Sequence, residues 1–242
     1  MNTKFLGSNK NLKYPPGSFK ILDPIKRTTC SHEVYGLDYW NAYEFSFLDI
    51  NKHPTLNVVE IIIPASSIYM VESKSLKLYL NSFYKKKFLS DKEVVNKIMK
   101  DLSKLTQSNV KVKFINNFYD EPTSLNLNKT SLKFTKPNMT ICFSGFRSIC
   151  PVTSQPDFAN IYIHTNAKLD VHWLKTYLTS FKEKGEFHEQ CTQNMFITLT
   201  NKYPEFNFEV CGRFMRRGGI DINPIRSNQK KLLFKNFRVF NQ

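Results

Sequence analysis

The chain has 242 residues, of which 41% are hydrophobic and 14% aromatic, a composition that excludes an intrinsically disordered protein. No apolar run of about 18 residues occurs, and the amino-terminal residues lack the pattern of a signal peptide, so we expect a cytoplasmic protein with no membrane partner. The net charge of +15 derives mostly from lysine, whereas specific readers of bases and phosphates rely on arginine, so we expect no direct nucleic-acid partner.

The first half of the chain predicts a strand, two helices and a second strand. Residues 56–63 form an apolar run of strand length, and residues 109–115 alternate between polar and apolar side chains. Residues 73–84 and 91–105 instead show the helical spacing of apolar residues.

The second half predicts the same order of elements. Residues 160–164 and 206–214 are predicted strands, and residues 188–200 are a predicted helix. Asp170 is a candidate N-cap of a further helix, because apolar side chains recur on one helical face after it, at Val171, Leu174, Leu178 and Phe181.

An internal repeat at an offset of 98 residues relates the two halves. The segment LKLYLNSF at 76–83 matches LKTYLTSF at 174–181 in six of eight positions. We therefore expect an α+β fold with two copies of one module, each with an antiparallel sheet and paired helices. The predicted modules are residues 1–118 and 119–242, and the polar stretch 120–138 is the predicted connection.

Polar residues at equivalent positions of the repeat differ between the copies. Glu72 is aligned with Asp170, and Ser90-Asp91 is aligned with His188-Glu189. Such differences indicate divided labour around a shared site, although sequence drift is the alternative.

The segment Cys150–Asp157, CPVTSQPD, carries the strongest candidate chemistry. A cysteine is a candidate nucleophile, and Asp157 could return to the thiol as an acid if the two prolines fold the loop back. A structural cysteine near an acid is the alternative. The cysteines lack CxxC spacing, so we expect no metal site, and four are expected to be inert: Cys30, Cys142, Cys191 and Cys211.

Three further segments carry candidate binding groups. Val71–Lys77 places a carboxylate, hydroxyls and ammonium groups at a helix start, with Ser73 as the expected N-cap, a setting that suits phosphate. Phe187-His188-Glu189 offers a carboxylate for paired N–H donors, and Arg216–Gly219 offers guanidinium groups for phosphate. Ordinary helix caps and a surface turn are the alternatives. No GxGxxG follows a strand, so a Rossmann site is not supported.

In their joint order, these segments resemble the 7-cyano-7-deazaguanine reductases of the queuosine pathway, of the two-module type. The resemblance covers roughly residues 30–226 and is carried by four motifs: Glu72–Tyr79, Cys150–Phe158, Phe187–Glu189 and Arg216–Pro224. It implies a tunnelling fold (T-fold) in each half, a homodimer, and a nitrile oxidoreductase that uses NADPH and no metal.

The resemblance also implies residue roles. Cys150 would attack the nitrile carbon to form a thioimide, and Asp157 would deliver a proton to the nitrogen. The implied substrate-binding residues are Val71, Glu72, Ser73, His188 and Glu189. The implied NADPH-binding residues are Ser73, Lys74, Arg217 and Gly218.

Two other functions remain open from the sequence. The first is another T-fold enzyme acting on a pterin or purine, such as a cyclohydrolase, although those enzymes commonly hold zinc with Cys and His and no such spacing occurs here. The second is a basic RNA-binding module, which only the net charge supports.

Overall fold

A computed structural model describes residues 14–28 and 33–242, so Cys30 lies outside the described residues. The described chain divides into two compact units. Unit 1 contains residues 14–28, 39–117 and 217–220, and unit 2 contains residues 33–38, 118–216 and 221–242.

The helices and strands are, in chain order, β1 (Pro24–Lys26), β2 (Tyr35–Phe45), β3 (Asn57–Pro64), β4 (Tyr69–Val71), α1 (Ser73–Asn81), α2 (Asp91–Thr106), β5 (Lys111–Ile115), β6 (Leu125–Asn126), β7 (Met139–Ile149), β8 (Pro156–Thr165), α3 (Val171–Thr179), α4 (His188–Lys202), β9 (Phe208–Phe214) and β10 (Ile220–Ser227). The prediction of an α+β fold with antiparallel sheets is confirmed. Within the described residues, no helix is both long and apolar enough to span a membrane.

Unit 1 combines the strand order β5–β3–β2 with the separate antiparallel pair β1–β4. Helix α1 begins directly after β4, and its N-cap is Glu72, whose carboxylate accepts from the amides of Lys74 at 2.8 Å and Ser75 at 2.6 Å. The prediction that Ser73 is the cap is wrong. The backbone of Glu72 is extended and its longer side chain reaches the free amides, so Ser73 is already helical.

Unit 2 contains the strand order β10–β9–β8–β7–β6, antiparallel except for the parallel pair β6–β7. One face of this sheet packs against α3 and α4 through a buried apolar cluster that includes Phe146, Ile161 and Phe196. The predicted connection 120–138 contains β6 and buries the side chain of Leu127 completely.

The elements follow the predicted repeat. Helices α1 and α3 both span nine residues at the offset of 98, and each continues into a 3-10 turn. Asp170 caps α3 as predicted, by accepting from the amide of Trp173 at 3.0 Å. Strands β1, β2, β4, β6, β7 and β10 were not predicted.

A β-bulge in β7 decides which side of the sheet its last residues face. The register with β8 slips between Phe143 and Phe146, and Gly145 adopts φ = 74°, a left-handed conformation that favours glycine. The side chain of Asn128 bonds both backbone groups of Ser144, at 2.8 and 3.0 Å. Because one inserted residue reverses the alternation, Phe146 and the residues at even positions after it face α3 and α4.

Candidate active site

A tight hairpin brings Cys150 and Asp157 to the same side of unit 2. Ser148 pairs directly with Asp157, and the amide of Cys150 donates to the carbonyl of Gln155 at 2.9 Å. Residues 151–154 form the turn, which is closed by a 3.0 Å bond from the Ser154 amide to the Cys150 carbonyl. Cys150 and Asp157 are therefore diagonal neighbours, a relation that usually separates Cα atoms by about 7–8 Å.

The start of α4 is held beside this hairpin by backbone contacts. Ile149 donates to the Lys184 carbonyl at 2.9 Å and accepts from the Glu186 amide at 3.1 Å. Gly185 lies so close to the turn that a Cβ there would be 3.6 Å from the Pro151 Cα. The first turn of α4, with its two candidate binding residues, is thereby fixed next to the cysteine-bearing hairpin.

His188 lies in this first turn and faces Asp157. Its Nε2 is 3.4 Å from Asp157 Oδ2, and the two side chains are 12% and 5% exposed. The imidazole stacks on the ring of Phe214, with 3.9 Å between centroids and 6° between planes. Among the described residues, His188 Nδ1 has no hydrogen-bond partner. The arrangement brings an imidazole nitrogen within 3.4 Å of a carboxylate on the hairpin that carries Cys150.

Glu189, the next residue, is 4% exposed although it carries a carboxylate. It lies in the first turn of α4, whose N-cap Phe187 makes no side-chain capping bond. A carboxylate near a helix N-terminus is stabilised by the free amides and the helix dipole. The site therefore contains a buried carboxylate, a group that can accept from neighbouring N–H donors.

The other cysteines of the described chain differ from Cys150. Cys150 is partly exposed, whereas Cys142, Cys191 and Cys211 are buried free thiols. Burial raises the pKa of Cys142 and Cys191, and it raises the pKa of Cys211 to about 12. Because the thiolate is the nucleophilic form, these three thiols are poor nucleophiles near neutral pH.

The remaining predicted binding residues lie in unit 1. Val71 and Glu72 are buried at 2% and 3% exposure, and both Glu72 oxygens accept the capping bonds of α1. Ser73 and Lys74 are half-buried in the first turn. Unit 1 thus presents the amino-terminal turn of α1 beside a buried, fully engaged carboxylate.

A cavity of about 290 Å³ adjoins this turn within unit 1. One wall carries Lys74 and Lys77, one turn apart on α1, and another is formed by Gly218 and Gly219. Both glycines have positive φ, and a Cβ on Gly218 would lie 3.3 Å from the Lys77 side chain. The lining also contains the carboxylate of Glu44, which lies against Gly219, so the cavity combines two ammonium groups that suit phosphate with one acidic group.

The predicted site residues thus fall into two groups. Unit 2 holds Cys150, Asp157, His188 and Glu189, and unit 1 holds Val71, Glu72, Ser73, Lys74, Arg217 and Gly218. Sequence reasoning gave no role to Phe214, because a contact between a strand and a distant helix leaves no local pattern. The sequence analysis included Lys77 among the cationic residues but assigned it no ligand. Its spacing of three residues from Lys74 could have indicated that both side chains lie on one face of the helix.

In the described part of the chain, we find no group of three or more His, Cys, Asp or Glu side chains that could hold a metal ion.

Two family profiles match most of the chain. Residues 20–114 match the family described as nitrile reductase, 7-cyano-7-deazaguanine-reductase N-term. Residues 156–232 match the family described as QueF-like protein.

Individual curated proteins are similar over nearly the full length. A protein from Coxiella burnetii is 36% identical over 228 residues, which cover 86% of this chain and 82% of the relative. A protein from Hahella chejuensis is 34% identical, with 90% of each chain covered, and one from Burkholderia multivorans is 32% identical, with 92% of each covered. All three are named NADPH-dependent 7-cyano-7-deazaguanine reductase.

Proposed function

The chain belongs to the NADPH-dependent 7-cyano-7-deazaguanine reductases, and we propose that it reduces the nitrile of this base to an aminomethyl group at the Cys150 hairpin of unit 2. This reaction is a step of queuosine biosynthesis. The observation that carries the assignment of the site is that Cys150 is the partly exposed cysteine of the described chain and shares a hairpin face with Asp157.

Cys150 is the proposed nucleophile. Its sulfur forms a bond to the nitrile carbon while one π bond of the C≡N group breaks, which leaves a thioimide. The nitrile nitrogen gains one proton and the thiol loses one, so the step is balanced if Asp157 relays that proton. The Nε2 of His188, 3.4 Å from the carboxylate, is placed to orient Asp157 and to share the proton.

Glu189 is the proposed acceptor for the guanine-like edge of the substrate, assisted by His188. The buried carboxylate can accept two parallel N–H bonds, a geometry that distinguishes this edge from one without paired donors. The proposal extends to Val71, Glu72 and Ser73 as substrate contacts. Because Glu72 already accepts two helix amides, its contribution would be to fix the backbone of that turn.

The cavity of unit 1 that is lined by Lys74 and Lys77 is the proposed binding site of the cofactor phosphates. Lys74 and Gly218 line this cavity, Ser73 and Arg217 are their neighbours in the chain, and these four residues would hold NADPH. Two NADPH molecules, bound in turn, would each supply one hydride, and together these take the nitrile carbon to the amine level. If Lys74 and Arg217 meet the 2′-phosphate, NADH should be the poorer donor.

The proposal also covers the fold of each half, the oligomeric state and the cellular compartment. We propose that each half, divided at residues 118 and 119, is a T-fold module, which the repeated elements support. We further propose a homodimer that acts on the free base without binding nucleic acid. Free thiols at the four described cysteines suit a reducing cytoplasm.

The reaction is tested by its stoichiometry. A nitrile is two reduction steps above an amine, so two NADPH should be oxidised for each aminomethyl product formed. The measurement combines loss of NADPH absorbance with quantification of the product. A ratio near one, or no oxidation in the presence of the nitrile base, would contradict the proposed function.

A further inference from the structure

The ring of Phe214 lies flat against the imidazole of His188. The centroids are 3.9 Å apart and the planes differ by 6°, so the two rings overlap face to face. The same imidazole directs Nε2 to Asp157 Oδ2 at 3.4 Å. Since Nδ1 has no hydrogen-bond partner among the described residues, the stack and the contact with Asp157 together define the ring's orientation.

Phe214 is itself held in one position. Its side chain is fully buried, and its edge meets the ring of Phe146, with centroids 6.1 Å apart at 88°. A Cβ on Gly212 would fall 2.7 Å from the Phe214 ring and 2.9 Å from Thr192 Oγ1, so this glycine lets strand β9 approach α4. On the backbone, the Gln242 side-chain amide donates to the Phe214 carbonyl at 2.9 Å.

We propose that Phe214 is a positioning residue for the covalent step, because its ring fixes the plane of His188 and hence the alignment of His188 Nε2 with Asp157. This inference rests on the proposed function, since Asp157 is the proton relay there. A flat ring restrains the tilt of the imidazole, whereas a branched aliphatic side chain fills the space without doing so. Misplacing a reacting group by about 1 Å can slow a step by about a hundredfold.

The test measures how fast the enzyme forms its covalent adduct with 7-cyano-7-deazaguanine when NADPH is omitted. We expect Phe214→Leu to slow adduct formation about ten- to a hundredfold. Phe208→Leu is the matched control, because Phe208 is a buried aromatic residue of the same strand that packs against Tyr203 instead of His188. Its adduct rate should stay within about twofold of the wild-type rate.

A double-mutant cycle separates positioning from general loss of structure. If Phe214 acts through His188, Phe214→Leu should change the adduct rate by less than about twofold in a His188→Ala background. An equal slowing in both backgrounds, or a wild-type rate for Phe214→Leu, would overturn the inference.

Gly212→Ala provides a second perturbation if Phe214→Leu does not fold, since it displaces the ring without removing it. The same cycle with His188→Ala applies, with the same two outcomes. Failure of the proposed function is distinguishable, because the wild-type enzyme would then form no adduct at all.

Discussion

The second helix of each unit begins in a different way. Helix α2 has a side-chain N-cap, in which Ser90 Oγ accepts from the Glu93 amide at 3.3 Å, and the Glu93 carboxylate accepts from the Leu89 amide at 2.9 Å. Helix α4 has no such bond at Phe187. The first turn of α2 is exposed, whereas Glu189 in the first turn of α4 is buried.

The first of these helix starts is capped within the protein, and the second carries His188 and Glu189, for which we propose roles in catalysis and substrate binding. At the offset of 98 residues, His188 and Glu189 replace Ser90 and Asp91. The first helices did not diverge in this way, because Glu72 and Asp170 both cap them. If the proposed module is duplicated, both copies keep the cap of their first helix, and only the second copy lacks a side-chain cap on its second helix.

Among the variants that test the difference between the two units, we expect the largest loss of turnover from a change at Asp157. Asp157→Asn keeps the thiol but removes the proton relay, so turnover should fall about a hundredfold or more. Steady-state NADPH oxidation measures the loss. Asp170→Asn is the matched control in the same unit, since asparagine is as good an N-cap as aspartate and activity should be retained. Equal activity of Asp157→Asn and wild type would remove Asp157 from the mechanism.

Glu189 should show the next largest effect. Glu189→Gln presents a donor to the N–H groups of the base, a mismatch that costs about 1–3 kcal/mol. The Kd of 7-cyano-7-deazaguanine should therefore rise about tenfold or more by calorimetry. Asp91→Asn changes the equivalent exposed position of unit 1 and should leave the Kd unchanged. Similar affinities in both variants would mean that the two helix starts do not differ in function.

A change at Ser90 tests whether the N-cap of α2 contributes to stability and not to activity. Ser90→Ala removes the cap of α2, which should lower the free energy of unfolding by about 1 kcal/mol. Denaturant unfolding measures this change, and kcat/KM should remain at the wild-type value. Loss of activity at unchanged stability would show that the capped helix of unit 1 is not purely structural.

The smallest expected effect is a pH response confined to unit 2. Burial lowers the pKa of His164 below its ordinary value of 6.5, and its Nδ1 lies 3.1 Å from Thr140 Oγ1. The neutral ring is therefore favoured in the folded state. Its stabilising contribution is complete above pH 6.5 and is lost as the pH falls through the lower folded pKa.

His164→Gln should accordingly lose less Tm than the wild-type protein between about pH 7 and pH 5. His172→Gln, at an exposed position of α3, serves as the control and should follow the wild-type curve. Identical curves for wild type and His164→Gln would exclude this contribution.

Much of the scaffold could be predicted from the sequence because its signals are local. The helices and the repeat follow from apolar spacing, and Asp170 was identified as a cap. Strand β7 was missed because the bulge at Gly145 interrupts the alternation of polar and apolar residues. Glu72 was missed as a cap because serine is a much more common N-cap residue than glutamate, and Ser73 is its neighbour.

The arrangement of the site was less predictable, because it depends on contacts between distant segments. The motifs named Cys150, Asp157 and His188, but no local pattern shows that a bulge sets the face of the hairpin. Likewise, nothing in the residues around Phe214 indicates that its ring meets a helix start. Side-chain packing of this kind is decided by the folded chain.

Covalent chemistry at Cys150 of unit 2, as proposed, can be detected by mass spectrometry. Enzyme mixed with 7-cyano-7-deazaguanine and no NADPH should gain the mass of the base, because the hydride that would discharge the thioimide is absent. Peptide mapping should place the modification on Cys150, and Cys150→Ala should lose both adduct and turnover. An adduct on Cys142 or Cys191, or a Cys150→Ala enzyme that still turns over, would contradict Cys150 as the nucleophile.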